Sequence, residues 1–155
     1  MRLFVAILLP KAIKDRLKPL CSGVPGAKWA DPDQMHITLN FIGEVDGIVA
    51  RDLGDALSGV HAEPFDVELA TIGHFATGHR LRTLWVGVAE SAALSHLQAS
   101  VAQSVRSVTG QAESRKFHAH VTLARFKRTT PDLGGYLAQH EPFRASPIPV
   151  TEFML

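Results

Sequence analysis

The chain has 155 residues, and at that length a single domain buries roughly 68–70% of its unfolded surface, so neither disulfides nor a structural metal is needed to hold a core. Hydrophobic residues make up 46% and charged residues 20%, which excludes a disordered or low-complexity chain. The 16 Lys and Arg against 15 Asp and Glu leave a formal charge of +1, no bulk attraction for a long nucleic acid, and the single Cys21 excludes a disulfide scaffold or a multi-cysteine metal centre.

In chain order, Leu3–Leu9 is a continuous apolar run closed by Pro10 and predicts a central strand. It is too short for a membrane span and lacks the cleavage pattern of a secretory signal, which predicts a cytoplasmic protein. Lys11–Leu20 places Ile13, Leu17 and Leu20 at helical spacing, and Gly23-Val24-Pro25-Gly26 ends that helix. Lys28–Ala30 reads as a short extended piece, His36–Ile42 as a strand, Ile48–Val60 as a helix, and Phe65–Ile72 as a half-buried strand. After the turn-rich Gly78-His79-Arg80 comes a strand over Leu84–Val88. A long helix over Ala92–Val108 follows, striped by Leu94, Leu97, Val101, Val105 and Val108 and stopped by Gly110. Phe117–Phe126 reads as a strand, Pro131–Ala138 as a short helix or turn, and Phe143–Leu155 as extended. The order predicts an α+β fold with a largely antiparallel sheet. No glycine-rich phosphate loop follows any strand, which argues against nucleoside triphosphate chemistry by that route.

One tetrad occurs twice, as His36-Ile37-Thr38-Leu39 and His120-Val121-Thr122-Leu123. In a strand, residues i and i+2 share a face about 6.6 Å apart. Each copy therefore offers an imidazole and a hydroxyl to one side and two apolar side chains to the core. Side by side, two such strands converge two imidazoles and two hydroxyls. With unperturbed values near ~6.5, one imidazole can be neutral while the other is charged, the acid–base pair that displacement at phosphorus requires. The residues alone leave open which histidine is the acid. They also leave a zinc reading, with His118, His120 and His36 as ligands, although threonine is not a ligand zinc prefers.

The two tetrads resemble the H-x-T-x motifs of the two-histidine (2H) phosphoesterase superfamily. Within it, the chain is similar to the RNA 2′,3′-cyclic phosphodiesterases, also called 2′-5′ RNA ligases. The likeness runs through Arg2–Ile7, Trp29 with Met35–Gly43, Arg82–Val88, Phe117–Arg125 and Val150–Leu155. Two positions depart from the family: Ala119 stands where proline is usual, and the chain stops at Leu155 where the family continues with a serine and a further strand.

The resemblance implies one bilobal domain over residues 1–155, with two antiparallel sheets and flanking helices related by a pseudo-two-fold around a central groove. It implies hydrolysis of a terminal 2′,3′-cyclic phosphate to a 2′-phosphate without metal or cofactor. His36 would be the acid at O3′, His120 the base that activates water, and Thr38 and Thr122 the groups holding the phosphate oxygens. Expected partners are RNA 2′,3′-cyclic phosphate ends or small cyclic nucleotides, with a monomeric protein and no membrane. Arg82 and Arg125 are candidate phosphate contacts, although Arg125, three residues past Thr122, falls on the opposite face by simple alternation. Phe4 and Phe41 are expected in the core, His118 on the motif face with an exposed side chain, and Cys21 buried rather than reactive. Two alternatives keep their place: a phosphodiesterase for a small cyclic nucleotide or an ADP-ribose cyclic phosphate, and a module that binds a nucleotide or RNA end without turnover.

Overall fold

A computed structural model of the chain describes residues 1–111, 113, 115–128 and 131–155. The elements run β1 (Arg2–Leu8), α1 (Lys11–Leu17), β2 (Lys28–Trp29), β3 (His36–Glu44), α2 (Gly47–Ser58), β4 (Phe65–Thr77), β5 (Arg80–Val88), α3 (Ala92–Thr109), β6 (His120–Arg125), α4 (Gly134–His140) and β7 (Arg144–Val150). Short 3₁₀ turns at Lys18–Leu20 and Pro32–Gln34 close α1 and lead into β3. Helix starts are set by local chemistry. The Asp46 carboxylate accepts from the Val49 amide at 2.8 Å to cap α2, and the Ser91 hydroxyl accepts from the Leu94 amide at 3.1 Å to cap α3. Gly110, at φ 71°, takes the left-handed conformation that ends α3.

All strand pairings are antiparallel, in the order β1-β3-β6-β5-β4-β7, with β2 paired to β6. The α+β class and antiparallel pairing expected from the sequence are therefore present. The expected pair of sheets is instead one hydrogen-bonded path, because β3 and β6 are joined, though at a single registered pair, Ile37↔Val121. Farther along β6 the same edge is taken by β2, through Lys28↔Arg125 and Trp29↔Ala124. The β3–β6 ladder is thus one residue pair long.

β4 and β5 are longer than the sequence suggests. They form one hairpin that turns at Gly78, φ 62°, and stays paired from Thr77↔Arg80 to Leu69↔Val88. β6 begins at His120 rather than Phe117. The core lies between the sheet and the helices. The α3 stripe Leu94, Leu97, Val101 and Val105 is buried, as are Ile37, Leu39, Val121 and Leu123 from the two tetrads. Pro147 and Pro149 sit in β7, at the end of the strand order where a missing amide is tolerated. Among the described residues no helix is long and apolar enough to cross a membrane.

Candidate active site

The Ile37↔Val121 pair joins the second residue of one tetrad to the second residue of the other. In an antiparallel ladder the positions flanking that pair are His36 beside Thr122 and Thr38 beside His120. The two hydroxyls and two imidazoles therefore share one face. The histidines stand on the diagonal across that pair rather than directly opposite one another. Both rings are held alike: His36 Nδ1 donates to the Gln34 carbonyl at 2.9 Å, and His120 Nδ1 donates to the His118 carbonyl at 2.6 Å. In each case the acceptor lies two residues upstream, and the bond leaves Nε2 as the free nitrogen.

The leucine that ends each tetrad is a bulge. Against consecutive Val5 and Ala6, β3 offers Asn40 and then Thr38, skipping Leu39; against consecutive Leu84 and Trp85, β6 offers Ala124 and then Thr122, skipping Leu123. A bulge re-aims every side chain that follows it, and this corrects two expectations. Arg125 returns to the tetrad face, where it pairs with Thr83, and its charge weighs on His120. Phe41 leaves the core and is 46% exposed, with the Arg2 guanidinium 5.3 Å from its ring centre. Phe4 is likewise not core: it is 38% exposed and stacks on the His36 ring at 4.8 Å, the rings 24° apart.

His120 has different company. Phe75 meets it edge-on at 5.1 Å, and Trp85 lies 6.0 Å away. His118 joins the same cluster, 4.7 Å from Trp85, with its side chain exposed as expected. The indole lies flat over Gly73, where an added Cβ would fall inside the ring's van der Waals envelope. Beside it, Gly87 pairs with His120, and a Cβ there would come within 3.1 Å of the Ala70 carbonyl. Burial holds the His120 imidazole below its ordinary value of 6.5. The bond to the His118 carbonyl opposes that shift, and the charges of His118, Arg125 and His36 add to it.

A cavity of about 720 Å³ opens beside this face. Thr38, His120 and Arg82 line it, whereas His36 and Thr122 do not; His36 opens on a smaller hollow of about 380 Å³ shared with Phe4 and Leu8. Arg82 is held there by an Nε bond to Thr77 Oγ1 at 3.4 Å. Residues that the sequence did not single out also line the large cavity: Arg106 from α3, and Arg115 and Lys116 from the segment before β6. No spacing in the sequence groups them, because they come together only when α3 packs beside β3, where Gln98 Nε2 donates to the Leu39 carbonyl at 3.3 Å. Cys21 is half-buried, and burial raises its thiol. Among the described residues no three His, Cys, Asp or Glu side chains gather at metal-ligand spacing.

An antiparallel sheet presenting two matched His-x-Thr strands to one face defines a protein of the two-histidine phosphoesterase type. The sequence matches the LigT-like phosphoesterase family over residues 7–85. It is 32% identical to the RNA 2′,3′-cyclic phosphodiesterase of Archaeoglobus fulgidus, over 100% of this chain and 89% of that protein. The fold superposes on a crystal structure from Thermus thermophilus with a TM-score of 0.78 at 26% identity, covering 99% of this chain and 86% of that one. It also matches Escherichia coli LigT complexed with 3′-AMP, at 0.76 and 24% identity over 98% and 84%. The chain belongs to the LigT-like phosphoesterase family.

Proposed function

We propose that this chain hydrolyses the terminal 2′,3′-cyclic phosphate of RNA to a 2′-phosphate. His36 and His120 act as its acid and base, and no metal takes part. The observation that carries this is the matched locking of two imidazoles by carbonyls two residues upstream, on strands whose tetrads meet across one pair. The activity named for the Archaeoglobus fulgidus relative supports the same reading.

In this mechanism His120 Nε2 takes a proton from a water molecule as its oxygen bonds to phosphorus. His36, doubly protonated, gives its Nε2 proton to O3′ as the P–O3′ bond breaks. The low proton affinity of His120 suits the base. Thr38 and Thr122 donate hydroxyl hydrogens to the two non-bridging oxygens, and Arg125 and Arg82 balance the charge of the phosphoryl group. Proton exchange with solvent resets the pair.

The same reading makes the chain bilobal over residues 1–155. A pseudo-two-fold axis passes through the Ile37–Val121 pair and relates β1–α1–β3 to β5–α3–β6. Its support is the leucine bulge recurring at the same tetrad position in both strands. One chain supplies both histidines, so a single copy holds the whole acid–base pair, and the reading takes the enzyme as a cytoplasmic monomer.

The test is product analysis. A short RNA ending in a 2′,3′-cyclic phosphate, incubated with protein after exhaustive chelation, should give a 2′-phosphate at an undiminished rate. A 3′-phosphate product would reverse the histidine roles. Activity lost to chelator and restored by zinc would install a metal. Tight binding without turnover would leave a recognition module.

A further inference from the structure

Resting on that reading, we infer that the large cavity holds the body of an RNA strand, and that Arg106 on α3 binds a phosphate upstream of the reacting one. The chain as a whole is nearly neutral, with 16 cationic and 15 anionic side chains. Around this cavity the balance is different: Arg82, Arg106, Arg115 and Lys116 face it with Glu113 as the opposing carboxylate. The Glu113 carboxylate is engaged by the backbone, its Oε2 accepting from the Phe41 amide at 3.4 Å. None of the four cations forms an ion pair among the described residues. Unpaired cations gathered on one concave wall concentrate field there and attract an anion.

Position separates Arg106 from the reacting phosphate. Gln98 is anchored to the Leu39 carbonyl, next to Thr38. Arg106 lies eight residues farther along the same helix, about 12 Å at 1.5 Å per residue. That rise sets Arg106 apart from Thr38 and His120 along the cavity wall, where it meets a second phosphate rather than the reacting one. Between the two stations α3 presents Ala99 and Ala102 to the cavity. These short side chains leave the wall open for a nucleotide to pass. A cyclic mononucleotide has no phosphate for the second station, whereas an oligoribonucleotide does.

The experiment compares kcat/KM for a 2′,3′-cyclic mononucleotide with that for a trinucleotide carrying the same end, in wild type and in Arg106→Gln. The trinucleotide should be preferred by wild type, and Arg106→Gln should cut that preference roughly tenfold, as expected for a lost charge-assisted phosphate contact. The slope of log KM for the trinucleotide against log salt should become shallower by about 0.7, the increment for one phosphate on a single strand. Arg106→Lys, which keeps the charge on α3, should retain most of the preference and the wild-type salt slope. An unchanged trinucleotide-to-mononucleotide ratio and salt slope in Arg106→Gln would overturn the inference while leaving the RNA-end reading intact. Absence of turnover by wild type on both substrates would instead overturn the RNA-end reading itself.

Discussion

His120 binds a proton less readily than a free imidazole because it is partly buried against Phe75 and Trp85 and lies near the charge of Arg125. In the proposed mechanism His120 is the base and must be unprotonated, so the acid limb of the pH profile of kcat/KM should fall below 6.5, the ordinary imidazole value. Arg125→Gln removes a charge that disfavours the imidazolium, so His120 should regain proton affinity and the acid limb should move up in pH. A limb that stays still or moves down would separate Arg125 from His120. Replacing either His36 or His120 with Ala should cost roughly 10²–10⁴ in rate, and the double variant should be little worse than the poorer single one. At this scale the sequence was informative, since a repeated His-x-Thr-Leu puts the imidazole and hydroxyl on one strand face and the branched chains on the other. It was uninformative about Arg125, Phe4 and Phe41. Simple alternation misplaces Phe41 and Arg125 because the bulges at Leu39 and Leu123 reverse it. Tetrad residues in themselves do not announce a bulge.

The β4–β5 hairpin shows why element boundaries were harder to read than element types. The alternation in the sequence predicts a strand ending at Ile72, yet β4 continues through Gly73 to Thr77. The glycine is a notch in the sheet surface, filled by the Trp85 indole. Gly73→Ala should therefore displace the ring and cost about 1–3 kcal/mol, the usual penalty for overpacking. Thermal unfolding should show Tm lowered by roughly 2–4 °C for each kcal/mol in a chain of this size. Because Trp85 backs His118 and His120, kcat should fall as well. A variant with wild-type Tm and kcat would mean the indole has room to move. The helices were easier to read because their stripes and caps are local: Leu94, Leu97, Val101 and Val105 recur at helical spacing, and Ser91 and Gly110 mark the two ends of α3. What α3 faces on its other side depends on distant segments, so the cavity cations had no signature in the chain order.

Over the whole molecule, β3 and β6 join at one registered pair and carry like histidines in unlike surroundings. Thr38 and His120 border the roomy cavity, while His36 borders the smaller hollow beside Phe4 and Leu8. Two imidazoles carried on matched tetrads could in principle open a five-membered cyclic phosphate by expelling either ribose oxygen. Which oxygen leaves is then decided by how the rest of the substrate is seated, and the unequal hollows give that seating a direction. Regiochemical fidelity thus belongs to the groove's lopsidedness rather than to the acid–base pair. It should erode as the substrate is pared down. An RNA end should yield a single phosphomonoester isomer, whereas the cyclic phosphate of propane-1,2-diol, with neither base nor strand to seat, should open slowly to both isomers, as phosphorus NMR of the products would reveal.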